Sequence, residues 1–498
     1  MTDRPARFTS RFALLASMLG VAVGTGNIWR FPRIAAQSGS EAGTGAFLLA
    51  WVICLITWSV PLIVAEYAVG RMGRRGVVGS VGVAAGERST WLGGFVALVA
   101  TAIMFYYSVV AGWCLYYLGH TATAALPTTA TQAQAVWDTL QGGSGPVVCH
   151  LLAIGLCALA AWRGVRSIER VNQILIPTLL LIVVVSAVWA LTLPGATRGA
   201  LFLFTPDWAL LGRPQVWLEA LTQNAWDTGA GWGLILTYAA YMRRRDFVVK
   251  NAVATGVGNN LVSLLAALMV FSTVFAVLGA GRTQGQVLQI MQESGPASTG
   301  LTFIWMPQLF ARMPGGGLLA VLFFLGLSFA ALSSLISMVE LSTRVLVDAG
   351  LPRRRALPLV LAGGFSLGVP SALNVDVLSN QDFVWGVGLM ISGAFVALAV
   401  RRHGAERLRR EVLERIDGDW RLGRVWDAAI SWLVPAQAVA LLGWWMYLSA
   451  TAYAPSTWYD PFDPYSVATA VTQWGLGLGL CLLVQRWRRR RQVHPADP

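Results

Sequence analysis

The chain has 498 residues, of which 56% are apolar and only 12% charged, with a mean hydropathy of +0.59. A soluble protein of this size carries about twice that charged fraction, so soluble domains are excluded and a polytopic membrane protein is expected. A net charge of +13 would point to nucleic acid in a soluble chain, but here arginines flank the ends of apolar runs, which excludes a nucleic-acid partner and implicates the lipid bilayer.

Measured against a crossing of about 20 residues, the apolar runs predict an all-α membrane protein of twelve transmembrane helices. They lie near 11–37, 43–70, 91–120, 146–163, 171–193, 215–242, 247–280, 317–348, 356–373, 380–401, 425–452 and 465–486. The first segment is too long and too studded with polar residues for a cleavable signal peptide. Its centre, Gly20-Val-Ala-Val-Gly-Thr-Gly-Asn-Ile-Trp-Arg-Phe-Pro32, has three glycines in seven residues, followed by Asn27, Arg30 and Pro32. In hydrocarbon every backbone polar group must be satisfied, so a loosened helix at that depth survives only where it lines a cavity. Glycine lowers the cost of leaving helical geometry, and freed carbonyls become ligands for a small cation. Val21 to Gly26 is therefore predicted as the unwound centre of a broken span. A packing pair, Gly20 and Gly24, would not require Thr25, Asn27 and Arg30 beside it.

Further along, loops 121–145, 194–214 and 281–316 hold most of the non-spanning chain, and Ile304 to Ala311 in the last is expected to fold back as a cap. The sixth helix is interrupted in its turn by Gln223-Asn-Ala-Trp-Asp-Thr-Gly-Ala-Gly-Trp-Gly233. Spans one and six open two successive five-helix halves, and matched interruptions point to a midplane site in a transporter. Arginine sets the topology: Arg4, Arg7 and Arg11, Arg71/Arg74/Arg75, Arg163/Arg166/Arg170, Arg243 to Arg245, Arg353 to Arg355, the Arg401 to Arg415 cluster and Arg486 to Arg491 all fall on one face. Both termini are expected on the cytoplasmic side of a plasma (inner) membrane.

The five cysteines show no paired spacing and the four histidines are scattered, so neither a disulfide framework nor a metal centre of those residues is indicated. No HExxH, GxSxG or P-loop occurs, which argues against an enzyme. A channel would need a continuous polar stripe, and polarity here is confined to the midplane breaks.

Gly24-x-Gly-Asn-Ile-Trp-Arg-Phe-Pro32, Gly45-Ala-Phe47, Pro61 with Glu66-Tyr-Ala-Val-Gly-Arg71, and Thr237-Tyr-Ala-Ala-Tyr241 resemble the neurotransmitter:sodium symporter family. The likeness covers spans one to ten. It implies a five-plus-five inverted repeat (1–193 and 194–401, with peripheral helices and a basic tail in 402–498) and sodium-driven uptake of an amino acid or related amine. The alternatives are a non-transporting sensor on the same fold, or a symporter of an amine or other small zwitterion.

The resemblance also implies where one or two Na⁺ ions bind. One site would use the carbonyls of Gly20, Val23 and Ala330 with the hydroxyls of Ser333 and Ser334; that Ser-Ser pair could instead back-bond to its own helix. The other would use the Ala22 carbonyl, Asn27, Asn259 and the side chain at 227. Family members carry Ser or Thr at that last position, where this chain has Asp227. Relatives that bind chloride there use a span-two Tyr and a span-seven Ser; this chain keeps Ser263 but has Trp51. A buried carboxylate costs several kcal/mol unless a cation or proton neutralises it. Asp227 is thus expected to replace chloride as the fixed anion, giving chloride-independent transport, and to take up a proton when the cation leaves.

For the substrate, the resemblance places Ala22, Thr25, Gly26, Ile103, Tyr107, Trp226, Gly229, Trp232, Ser334 and Met338 around a neutral, apolar or aromatic amino acid, with Gly24 leaving room for its carboxylate. Arg30 and Asp382 would close the outer vestibule, with Gln223 nearby and Trp226 over Tyr107 as a lid. Inside, Asp348 would pair with an N-terminal arginine, Arg7 or Arg4, assisted by Tyr241. The family's usual Trp is Phe8 here, and its arginine position holds Pro5. Glu66 would brace the unwound part of span six.

Overall fold

The computed structural model describes residues 7–292 and 300–493, with side chains to Arg488; Arg4 and Pro5 lie outside the described residues. Among these residues nine helices are long and apolar enough to cross a bilayer: Gly45–Gly73, Glu87–Thr123, Val165–Leu191, Val249–Leu278, Gly316–Asp348, Arg353–Leu373, Val375–His403, Gly423–Tyr453 and Val467–Arg488. These are spans two, three, five and seven to twelve. Span four, Gly145–Ala161, follows the loop helix Ala130–Gln141 across a 71° bend. The remaining two are broken.

Span one consists of Arg11–Ala22 and Gly26–Gln37, bent by 53°. The break is tighter than Val21 to Gly26: helical hydrogen bonding runs through Ala22, Val23 is extended, and the chain resumes at Gly26 in a widened turn. Span six runs Pro214–Asp227, opens, and resumes at Leu234–Ala239. Gly229, Gly231 and Gly233 all have positive φ (71°, 86° and 76°), a region that side chains with a Cβ avoid. The amides freed there are taken by one buried carboxylate from span two. Glu66 accepts from Gly231 N (2.7 Å), Gly233 N (3.2 Å) and Leu236 N (3.0 Å). A charge is tolerated at that depth because it collects three amide dipoles.

Of the loop 281–316, the short helical segment Leu301–Ala311 folds back. Its Phe303 packs against Tyr117 (4.8 Å between ring centroids), Trp137 and Phe324. It closes the rim over spans three and eight.

Candidate functional site

The two breaks face each other across a cavity of about 480 Å³ that runs from Ala22, Asp227 and Met338 to Tyr453 and Tyr465, on the long-loop side. Nine of the ten substrate positions line it: Ala22, Thr25, Gly26, Tyr107, Trp226, Gly229, Trp232, Ser334 and Met338. Ile103 does not. It is wholly buried in the helix packing: it shares a face of span three with Tyr107, but stands one turn nearer the arginine-rich side, beyond the cavity lining. Tyr106 and Val110 line the cavity in addition.

Gly24 sits between Ser334 and Tyr107; a Cβ there would come within 3.0 Å of Ser334 Oγ and 3.2 Å of the Tyr107 hydroxyl. The Tyr107 oxygen accepts from Thr25 N at 3.2 Å and lies 3.2 Å from the Thr25 hydroxyl. Glycine thus keeps open the space between the unwound amides and the phenol.

A hydrogen-bond chain beside this space determines the orientation of the Asn27 amide. Gly24 N donates to Asn27 Oδ1 (2.8 Å), so Asn27 Nδ2 must donate, and it does so to Asn259 Oδ1 (2.7 Å) and Ser263 Oγ (2.8 Å). That same Asn259 oxygen then lies 3.0 Å from the Ala22 carbonyl and 3.0 Å from the Asp227 carbonyl, oxygen against oxygen with no proton between. Turning the Asn259 amide over would let its nitrogen donate to both carbonyls at 3.0 Å, but would set that nitrogen 2.7 Å from Asn27 Nδ2 and the amide oxygen 3.1 Å from Asn260 Oδ1. Like faces like in both orientations. A small hard cation among these oxygens removes the repulsion, and neutral oxygens suit Na⁺.

Asp227 enters this cluster through its main chain. Its carboxylate points to Gln223 Nε2 and Ser263 Oγ (both 3.2 Å), and Oδ1 has no partner. Gln223 therefore serves Asp227, one turn away on the same helix, and not the outer gate. Trp51 Nε1, at the position where chloride-binding relatives have Tyr, has no hydrogen-bond partner, and its ring packs on Phe31 at 4.4 Å.

A second oxygen group lies across span one. Ser334 Oγ is 3.5 Å from both the Gly20 and Val23 carbonyls, at the limit of a hydrogen bond. Ser333 Oγ bonds to Ala330 O at 3.0 Å, within its own helix. All five expected ligands belong to these two facing segments.

Toward the long-loop side, Arg30 and Asp382 both line the cavity but form no ion pair within 4.0 Å among the described residues. The Arg30 guanidinium instead lies 4.6 Å from the centre of the Trp226 ring, and the six-membered ring of that indole rests on Gly386. Trp226 makes an edge contact with Trp232 (6.2 Å) and is not stacked on Tyr107. Arg33, 8% exposed, and Glu219 join the same wall. Arg33 is one turn beyond Arg30, a spacing visible in the sequence.

On the arginine-rich face the chain is sealed, though not by Arg7. Asp348 pairs with Arg344 (3.0 Å), one turn back on its own helix, and also accepts from Gly76 N; exposed Arg7 lies near Arg74. Phe8 closes this end. Its N–H donates to Tyr241 O at 3.2 Å, and its ring packs edge-on against Tyr238 and Tyr241. The Tyr241 hydroxyl donates to Glu340 (2.8 Å), which pairs with Arg353 at 2.6 Å. Glu340, a buried acid in span eight, was the sequence signal for this network.

Two opened helices enclosing a cavity open at one end and sealed at the other define an ion-coupled secondary transporter. The profile described as the sodium:neurotransmitter symporter family matches residues 5–142 and 145–493. A sodium-dependent transporter of Methanocaldococcus jannaschii is 31% identical over 89% of this chain and 87% of its own. The sodium-dependent serotonin transporter of Drosophila melanogaster is 28% identical over 76% of this chain and 66% of its own. The crystal structure of MhsT in complex with L-phenylalanine superposes with a TM-score of 0.72 at 27% identity, covering 88% of this chain and 98% of MhsT. The chain belongs to the sodium:neurotransmitter symporter family. It is a twelve-span, five-plus-five inverted-repeat transporter, sodium-dependent, and not an enzyme.

Proposed function

We propose that the chain imports a neutral, apolar or aromatic amino acid together with one or two Na⁺ by alternating access, without chloride. The observation that carries this reading is the Gly24–Asn27–Asn259 hydrogen-bond chain, which leaves a cluster of bare oxygens beside a glycine-sized gap for a carboxylate. The substrate carboxylate enters that gap, ligates the ion, and accepts from the unwound amides and Tyr107; the N-terminal end of a half-helix favours the same anion. Ala22, Asn27, Asn259 and Asp227 hold this ion, and Gly20, Val23, Ala330, Ser333 and Ser334 hold a second. Trp226, Trp232 and Met338 supply the apolar wall, and MhsT, the related structure, holds L-phenylalanine.

Asp227 is the fixed anion in place of chloride: its carboxylate occupies the side of the ion where Ser263 and Gln223 converge, and its free oxygen takes a proton when the ion leaves. Both termini lie in the cytoplasm, so the cavity opens outward and Phe8 seals the inner end. Each Na⁺ moving down a potential of ~100 mV contributes roughly 2.3 kcal/mol, before its concentration gradient is added.

Uptake of radiolabelled amino acids into proteoliposomes, in sodium chloride, sodium gluconate and choline chloride, tests the reading. Uptake equal in the first two and absent in the third is expected. Binding without accumulation would make the chain a sensor, and a strong requirement for chloride would remove Asp227 from its role.

A further inference from the structure

An ion held by Gly20, Val23 and Ser334 must leave toward the arginine-rich face, and three buried polar side chains stand on that path without a role so far. Asn172 of span five is wholly buried, and neither Oδ1 nor Nδ2 has a hydrogen-bond partner. Among the described residues no other Asn or Gln has both atoms in that condition. Asn172 rests directly on Gly20, where a Cβ would come 3.4 Å from its amide carbon. A dry, unpartnered amide is costly unless something binds it.

One turn nearer the arginine-rich face, Glu169 is 2% exposed and has no ion-pair partner among the described residues. Its carboxylate accepts only from Thr9, through the backbone N (3.1 Å) and the hydroxyl. One turn back from Gly20 on span one is Ser17, wholly buried, its hydroxyl also without a partner. Spans one and five run the same way and meet at Gly20 and Asn172, so Ser17 and Glu169 each stand one turn further along the same polar line. It starts at the oxygen group and ends at the segment that seals the inner face. A water could satisfy the amide, but it would leave the Glu169 carboxylate without a counter-charge. A monovalent cation satisfies both.

We propose that Asn172 and Glu169 form a transit site for Na⁺. Asn172 Oδ1 replaces Ser334 as an oxygen ligand when the ion leaves its first position, and Glu169 supplies the counter-charge as Thr9 withdraws. This rests on the sodium-symport reading above. Sodium-dependent uptake by the unaltered protein is therefore measured first, and its absence would fail that reading before any variant is made.

Given that uptake, Asn172→Ala in proteoliposomes is expected to slow net uptake at least tenfold at saturating Na⁺. Equilibrium binding of sodium and substrate by the purified variant should stay within twofold, and exchange of internal for external substrate, which proceeds with sodium bound, should be spared. Asn172→Ser, which keeps an oxygen, should recover part of the rate, and Glu169→Gln should slow net uptake in the same selective way. Unchanged uptake in Asn172→Ala overturns the transit site. So does loss of equilibrium binding in both Asn172 variants, because the amide would then be holding the fold or the first ion position.

Discussion

Gly386→Ala is the perturbation whose consequence the structure fixes most closely. A methyl group at Gly386 would stand 1.9 Å from Trp226 Cζ2 and 2.7 Å from Cη2. Non-bonded carbons rest about 3.5 Å apart, so the indole must retreat by about 1.6 Å. The Arg30 guanidinium lies over that ring, 4.6 Å from its centre, so a retreat of the indole disturbs this contact. Overpacking of this kind costs about 1–3 kcal/mol, and only in the state where Trp226 rests on Gly386. The lid equilibrium therefore shifts toward closure by roughly 5- to 150-fold. Displacing the indole also frees Arg30 for Asp382, so lid and ion pair close together. Substrate dissociation from the purified variant should slow within that range, and Asp382→Asn added to it should restore most of the speed. A Gly386→Ala protein with unchanged or faster dissociation would refute the coupling.

Gly24→Ala should weaken substrate binding at least tenfold in an equilibrium assay while leaving thermal stability near that of the parent, because its methyl fills the gap between Ser334 and Tyr107. Glu66→Gln leaves one acceptor for three amides at the span-six break; with charge-assisted bonds worth about 1.5–3 kcal/mol each, a large drop in the melting midpoint is expected by thermal unfolding in detergent. Phe8→Ala removes two edge-to-face contacts, each worth about 0.5–1.5 kcal/mol beyond burial, and should speed thiol labelling of an Ala13→Cys reporter from the inner side. Equal labelling would mean that Phe8 does not seal that face.

What the sequence made legible follows from which interactions are local. The breaks at Val23 and at Gly229 to Gly233 were readable because glycine and polar residues have no other reason to interrupt an apolar crossing. Gln223 could have been assigned to Asp227, since residues four apart share a helix face. Ile103 and Arg7 were misplaced for a different reason: how deep a cavity reaches along a helix, and the path of a terminal segment, are set by packing partners far away in the chain. Phe8 settling on Tyr238 and Tyr241 carries Arg7 out of reach of Asp348, and Arg344 takes its place. The seat of Trp226 on Gly386 joins spans six and ten, and no spacing in either segment announces it.

Equilibrium binding of radiolabelled sodium to the purified protein, in chloride-free buffer with and without substrate, addresses the ion site most directly. The account predicts saturable binding without chloride that substrate strengthens, that Asn27→Leu abolishes, and that Asp227→Ser makes dependent on added chloride. Sodium binding untouched by Asn27→Leu, or a chloride requirement already present with Asp227 in place, would contradict it.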